Sequence, residues 1–190
     1  DYIIEKANKC YKMTQIKTSG ITDKFIFMRN SVTKTVQNFR RLVGKPVMVP
    51  EWSLGWHQCR YGYNNTQQVK EVVQGYLDNN IPLDVMWTDI DYMEMYKDFT
   101  VSENEFEGLA EAVDQWKSTH NIKYIPILDA GIAYEKGSNT PYSRGKSKDV
   151  FVKDANNPSE PFVGKVWPGP AVYIDWLEDN AEEYWLEEMD

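Results

Sequence analysis

Two carboxylates in the segment Asp89–Met93, which reads Asp-Ile-Asp-Tyr-Met, are the side chains of this chain best placed to do chemistry. The apolar run Pro82–Thr88 precedes them and is typical of a buried strand. If the extended backbone continues, its period of two sends Asp89 and Asp91 to the same side. Carboxylates at the end of a strand can bind the polar groups of a ligand. The alternative is a solvated turn or a structural ion pair, which a lone Asp-x-Asp often forms.

Two further apolar runs also end in polar side chains. The run Trp52–Gln58 ends in a His-Gln pair, and the run Tyr124–Leu128 is followed by Asp129. A proline inside the second of these runs removes one donor from the strand ladder. Ligands of parallel α/β sheets and barrels bind outside the carboxyl ends of the strands. We therefore expect all these polar groups to lie at one edge.

Amphipathic segments alternate with the three runs and predict two helices between them. The first follows the candidate cap Thr66. The apolar faces consist of Val69, Val72, Val73 and Tyr76 in the first helix and of Phe106, Leu109, Ala110, Val113 and Trp116 in the second. This alternation of runs and helices indicates an α/β fold in which helices cover a parallel sheet.

The flanking segments have a different character. Residues 1–30 mix apolar pairs with polar turns, one of them at Ser19-Gly20, and predict the last strands of a β domain, while residues 31–45 predict a linking helix. Residues 130–175 have no helical periodicity and predict a long loop that folds over the site. A last amphipathic helix carries Leu177, Ala181, Tyr184, Trp185 and Met189 at helical spacing.

Composition argues against several classes of partner. The chain has 190 residues and a formal net charge of −8 without a basic stripe, which argues against nucleic acid. The eight acids from Asp175 to Asp190 account for this charge and mark a solvated helix face. Cys10 and Cys59 form no CxxC pair, and no metal-ligand or phosphate-loop spacing is recognisable, so we expect neither metal nor cofactor. No apolar stretch is long enough for a membrane span.

Two short sequence features bear on the compartment and on the chain ends. Asn64-Asn65-Thr66 matches the N-glycosylation pattern, which favours a secretory, lysosomal or extracellular protein. The chain has no initiator Met and opens in strand-rich sequence, so we expect both ends to lie inside a longer polypeptide.

Four motifs, in this order, resemble those of glycoside hydrolase family 31. They are Trp52–Tyr63, Trp87–Met93, Asp98–Thr100 and Val163–Gly169. The segment Asp89–Met93 of this chain is similar to the corresponding segment of maltase-type lysosomal and digestive α-glucosidases. The resemblance implies that residues 46–190 are the first three βα units of a (β/α)8 barrel, preceded by the tail of a β-sandwich domain and the linking helix.

The activity that the resemblance implies is exo-acting hydrolysis of terminal α-linked glucose from maltose- or glycogen-like substrates, with retention of configuration by two aspartates. The family's nucleophile motif, Trp-x-Asp-Met-Asn-Glu, does not occur in the 190 residues. We therefore assign no catalytic residue, and we expect the chain to be inactive without the rest of its polypeptide, which completes the barrel. The alternatives are an α-xylosidase or transglucosylase of the same family, or a non-catalytic carbohydrate-binding module.

The resemblance also implies a set of substrate-binding residues. Asp89 would hold hydroxyls of the non-reducing glucose, because a carboxylate accepts two strong hydrogen bonds from vicinal hydroxyls. The walls and rim of the same pocket would be Ile90, Ile127, Trp167 and Tyr63. Asp91 and Asp129 would brace the pocket through hydrogen bonds without touching the sugar. For the walls, the alternative role is packing in the core.

Overall fold

The computed structural model describes residues 2–18 and 20–190. The chain divides into two units, Asp1–Met48 and Val49–Asp190. The turn predicted at Ser19-Gly20 includes Ser19, which lies outside the described residues.

The first unit contains a hairpin and a helix. Strands β1 (Tyr2–Ala7) and β2 (Cys10–Gln15) pair in antiparallel fashion, and helix α1 spans Val32–Val43. The Ser31 side chain accepts a hydrogen bond from the N–H three residues on, which caps the start of α1, and Gly44 follows its end with φ of +87°. The end of a β-sandwich domain remains a prediction for this unit, because one hairpin does not define a sandwich.

A parallel sheet forms the centre of the second unit. Its strands are β3 (His57–Gln58), β4 (Val85–Thr88) and β5 (Lys123–Pro126), paired in the order β3-β4-β5. Helices α2 (Thr66–Asp78) and α3 (Leu109–His120) connect them. The strands are parallel and in chain order, as the alternation of runs and helices predicts, so their carboxyl ends lie at one edge.

The strands are shorter than the apolar runs that predict them. In Trp52–Gln58 only the last two residues pair with β4, because Glu51–Leu54 forms a 3₁₀ turn. The third strand ends at Pro126, which pairs with Thr88 and has no N–H to donate to the ladder.

Three details of the helix predictions are wrong. Phe106 is buried but lies before α3 begins. The cap of α2 is Asn65, whose side chain accepts the N–H of Gln68 at 2.9 Å, and Thr66 is the first helical residue. In α3 it is Ala112 that faces the core, whereas Ala110 is exposed. The helices and the parallel sheet share one core, whose buried members include Val69, Val73, Met86, Ile90, Tyr92, Phe106, Ala112, Trp116 and Ile122.

The predicted loop at residues 130–175 is a small ordered layer, so that prediction is wrong. It contains β6 (Gly131–Ala133), α4 (Pro141–Lys148), β7 (Gly164–Val166) and β8 (Gly169–Tyr173). The three strands form an antiparallel sheet in the order β6-β8-β7.

The last helix, α5, spans Ala181–Met189. Leu177 lies before it, and Leu177 and Met189 are both exposed, so their predicted places on the apolar face are wrong. A second core joins α5 to the small layer through Ile132, Tyr142, Val150, Phe151, Val172, Ile174, Ala181 and Tyr184. None of the described helices is long and apolar enough to cross a membrane.

Candidate functional site

A cavity of about 500 Å³ lies where the three parallel strands end. It is lined by Tyr61, Asp89, Ile90, Tyr96, Ile127 and Trp167. Asp89 directly follows β4, Ile127 directly follows β5, and Tyr61 comes three residues after β3. The structure therefore brings together four of the five substrate-binding residues predicted from the sequence.

The backbone does not stay extended after β4, so the condition under which Asp89 and Asp91 would point to the same side is not met. Ile90–Tyr92 form a 3₁₀ turn, and an Asp89 oxygen accepts the N–H of Ile90 at 2.7 Å. Asp91 instead accepts the N–H of Gly62 at 2.8 Å. The two carboxylates thus have different tasks, since one lines the cavity and the other ties the β4 turn to the loop after β3.

Tyr63 does not lie at the rim, which corrects the sequence-based assignment. Its ring is buried in the core, and its hydroxyl accepts a hydrogen bond from Gln58 at 2.8 Å. Tyr61 lines the cavity instead and is 59% exposed. Gly62 between them has φ of +97°, a conformation that glycine adopts readily, and the two neighbouring rings end in opposite environments.

Trp167 reaches the cavity from the small antiparallel layer. It lies in the two-residue turn between β7 and β8 and is 68% exposed. Gly169 ends this turn with φ of +100°. Gly131 allows the strands to approach closely, since a Cβ there would stand 2.5 Å from the Val166 side chain. The hairpin therefore presents a flat aromatic surface to the cavity.

Tyr96 is a lining residue that sequence reasoning missed. Met95, Tyr96 and Phe99 all have positive φ, which is uncommon away from glycine. The Thr100 hydroxyl accepts the N–H of Glu94 at 2.9 Å and so holds the ends of this loop together. Tyr61 and Tyr96 both line the cavity, and side-chain hydrogen bonding to Tyr96 raises the pKa of Tyr61. No glycine or apolar period marks this segment in the sequence.

Two more carboxyl groups lie behind the cavity. Asp98 is 3% exposed and accepts the backbone N–H of Asp129 at 2.9 Å. Burial raises the pKa of Asp98 to about 7; the Asp129 N–H lowers it in part, and the Asp129 charge adds to the rise. Burial, and then the charge of Asp89, also raise the pKa of Asp129. Sequence reasoning used Asp98 only as part of a motif and gave it no role.

The polar residues at the end of β3 serve the scaffold. The Trp87 indole N–H donates to Nδ1 of His57 at 2.9 Å, which joins β3 to β4.

Cys59 has a free thiol, whose pKa is raised by burial and further by the charge of Asp89. Across residues 2–18 and 20–190, no group of three or more His, Cys, Asp or Glu side chains could hold a metal ion.

A larger groove of about 610 Å³ runs along α2 between Trp56, Tyr76 and Ile81. Its lining is almost entirely apolar, and it contains none of the residues that follow the parallel strands. Size alone therefore does not identify the site. The cavity at the strand ends combines a carboxylate with apolar and aromatic walls, and its volume lies within the range of about 300 to 1,000 Å³ that is usual for small-molecule sites.

Comparison with known proteins agrees with the resemblance. Residues 46–190 match the family model described as the glycosyl hydrolases family 31 TIM-barrel domain. The chain belongs to glycoside hydrolase family 31. The match contains all three parallel strands and the small antiparallel layer.

Among its relatives, a probable alpha-glucosidase of Oryza sativa subsp. japonica is 39% identical over 90% of this chain and 19% of its own length. Lysosomal alpha-glucosidase of Mus musculus is 35% identical over 91% of this chain and 18% of its own length. The family 31 chain thus spans about a fifth of these relatives.

Solved structures share the fold. A dextranase of the family from Flavobacterium johnsoniae, complexed with glucose, matches with a TM-score of 0.74 and 25% identity over 85% of this chain and 20% of the dextranase. A glucosidase II alpha subunit matches with a TM-score of 0.64 and 35% identity over 71% of this chain and 14% of the subunit.

Proposed function

We propose that this chain is part of a retaining, exo-acting α-glucosidase that removes terminal α-linked glucose from maltose- or glycogen-like substrates. Membership of glycoside hydrolase family 31 supports a glycosidase, and several relatives are named alpha-glucosidases. The observation that carries the proposal is the cavity at the strand ends, in which Asp89 faces apolar walls and the Trp167 ring.

The proposed architecture is an incomplete barrel. The three parallel strands are the first of eight, residues 46–190 are the start of the barrel domain, and residues 1–30 and 31–45 are the end of a β-sandwich domain and a linking helix. The rest of the polypeptide closes the barrel and supplies the nucleophile and the acid/base. The absence of the Trp-x-Asp-Met-Asn-Glu motif from the sequence supports this division.

The proposed binding mode follows from the chemistry of the lining. The Asp89 carboxylate accepts hydrogen bonds from two hydroxyls of the terminal glucose. Ile90 and Ile127 form apolar walls, and the Trp167 ring packs on a sugar face. The hydrogen bond from Gly62 to Asp91 and that from Asp129 to Asp98 support this, since both fix backbone that carries lining residues.

Glucose release from maltose by the full-length polypeptide tests the proposal. Asp89→Asn removes the charge and replaces one acceptor by a donor, so kcat/KM should fall by about 10²- to 10⁴-fold, the effect of losing two hydrogen bonds to a charged group. Asp114→Asn on the exposed side of α3 is the matched control and should behave like wild type. Equal activity of wild type and Asp89→Asn would refute the assignment.

Product analysis on several substrates separates the alternatives. A transglucosylase would yield longer oligosaccharides, and an α-xylosidase would cleave xylosides in preference to maltose. Dextran belongs in the panel, because one structural neighbour is a dextranase. Binding of maltose without any cleavage would favour a non-catalytic carbohydrate-binding module.

A further inference from the structure

The Asp98 carboxyl is buried without the partners that such a group needs. Its Oδ1 accepts the Asp129 N–H at 2.9 Å, whereas its Oδ2 is buried and has no hydrogen-bond partner among the residues that the structure describes. Most buried polar atoms in proteins are paired, so an exception calls for a functional explanation.

Among the residues that the structure describes, no cation compensates Asp98. The titratable groups that face it are Tyr92 from the turn after β4, Asp129 from the end of β5 and Tyr184 from α5. Both tyrosines direct their protons elsewhere, since the Tyr92 hydroxyl donates to the Ile127 carbonyl at 2.8 Å and the Tyr184 hydroxyl to the Pro141 carbonyl at 3.0 Å. The adjacent Lys97 pairs with Glu135. The surroundings therefore favour the neutral form of Asp98.

Asp98 and Tyr92 hold the end of β5 at two points. The Tyr92 hydroxyl binds the carbonyl of Ile127, which is a wall of the sugar cavity, and Asp98 binds the N–H of Asp129 two residues later. The segment between these points comes after the last paired residue of β5, and these two hydrogen bonds hold it together with the bond from the Ile127 N–H to the Thr88 carbonyl at 3.1 Å.

We propose that Asp98 is a positioning residue for the cavity at the strand ends and holds the end of β5 in place as a neutral carboxylic acid. Ionisation strengthens its hydrogen bond from the Asp129 N–H but leaves an unpaired charge in the core beside Asp129, so this segment has to open towards solvent to accommodate the charge. This inference rests on the proposed glucosidase function of the same cavity. The position of the cavity wall at Ile127 would then depend on the protonation state of Asp98.

The direction of the pH effect follows from linkage. The pKa of Asp98 is raised to about 7 in the folded chain, whereas an unperturbed Asp titrates near pH 3.9. Between these values the folded chain keeps a proton that the unfolded chain releases, so the stabilisation is complete below about pH 3.9 and is lost as pH rises to about 7. Above that pH the Asp98 charge also repels Asp129, whose carboxyl already feels Asp89.

Asp98→Asn in the full-length polypeptide tests the inference, because it keeps an acceptor for the Asp129 N–H and stays neutral at every pH. The measurement is kcat and KM on maltose from pH 5 to pH 8, expressed as the ratio of variant to wild type, so that shared catalytic ionisations cancel. The kcat/KM ratio should rise with pH, by at most about tenfold per unit above the Asp98 pKa, and should do so through KM. The exposed control Asp114→Asn should give a flat ratio.

A stability measurement distinguishes the inference from the proposed function. The Tm of wild type relative to Asp98→Asn should fall between pH 5 and pH 8, whether or not the polypeptide cleaves maltose. Asp98→Ala removes the acceptor and should raise KM at all pH values; if it does not fold, Asp98→Asn still decides. A pH-independent kcat/KM ratio and Tm difference for Asp98→Asn would overturn the inference. An inactive wild type with the expected Tm trend would refute only the glucosidase.

Discussion

At the scale of single residues, the direction of a side chain decides whether it binds substrate or stabilises the fold. Tyr61 and Tyr63 are the same residue type two positions apart, yet one lines the cavity and the other is 7% exposed in the core. Asp89 and Asp91 differ in the same way, since Asp89 lines the cavity and Asp91 binds the N–H of Gly62 in the loop after β3. Residue type alone therefore shows which functional groups are available, but not which of two like residues lines the cavity.

Alanine at each tyrosine separates the two roles. Tyr63→Ala removes a buried ring and its hydrogen bond to Gln58, and should lower the free energy of unfolding by about 3–5 kcal/mol. Tyr61→Ala removes an exposed ring, so it should change that free energy by less than about 0.5 kcal/mol and act on KM for maltose. Denaturant unfolding and steady-state kinetics of the full-length polypeptide measure both. A stability loss at Tyr61 with none at Tyr63 would reverse the assignment.

Most of the cavity lining could be predicted, for a physical reason. Asp89 and Ile127 directly follow parallel strands, and parallel strands place their carboxyl ends together. Trp167 lies in a Pro-Gly turn that presents an aromatic. Tyr96 could not be predicted, because a run of left-handed backbone at non-glycine residues arises from tertiary contacts.

At the scale of secondary structure elements, close packing outweighs local propensity. Gly145 lies in α4, where glycine is a poor helix former, but a Cβ there would overlap the Phe151 ring. Gly75 lies in α2, where a Cβ would meet no atom within 4 Å. The same substitution should therefore have opposite effects in the two helices.

Thermal or denaturant unfolding of Gly145→Ala and Gly75→Ala measures this difference. Gly75→Ala should stabilise the protein by about 0.5–1 kcal/mol through the gain in helix propensity. Gly145→Ala should destabilise it by about 1–3 kcal/mol, because the stacked Phe151 ring has to move within a packed core. Stabilisation by both substitutions would show that the small layer around α4 is loosely packed.

The elements also differ in how well the sequence predicts them. Helices α2 and α3 have 13 and 12 residues, long enough to show an apolar face, and both were predicted, although their caps and facing residues shifted by one or two positions. The layer at residues 130–175 is not predicted because its strands have only three to five residues, and because β6 pairs with β8 across more than thirty positions. Such strands are specified by their partners.

At the scale of the whole molecule, the parallel sheet has two unpaired edges among the described residues. Among the described residues β3 and β5 each pair on one side only, because the order is β3-β4-β5. Unpaired strand edges and exposed apolar side chains favour association with another chain. The second unit also exposes Trp56, Trp176, Leu177 and Leu186. An eight-stranded barrel closed by further polypeptide would pair both edges.

The isolated 190-residue chain should consequently differ from the full-length polypeptide in two measurements. It should release no glucose from maltose, since the carboxylate that lines its cavity is a binding group, and the two catalytic carboxyl groups of the proposed retaining reaction come from the rest of the polypeptide. It should bind a hydrophobic dye such as ANS more strongly and scatter more light at equal concentration, because its sheet edges and apolar side chains are uncovered. Maltose turnover by the isolated chain that Asp89→Asn abolishes would show that the nucleophile lies within residues 1–190, and would refute the proposed division of the site.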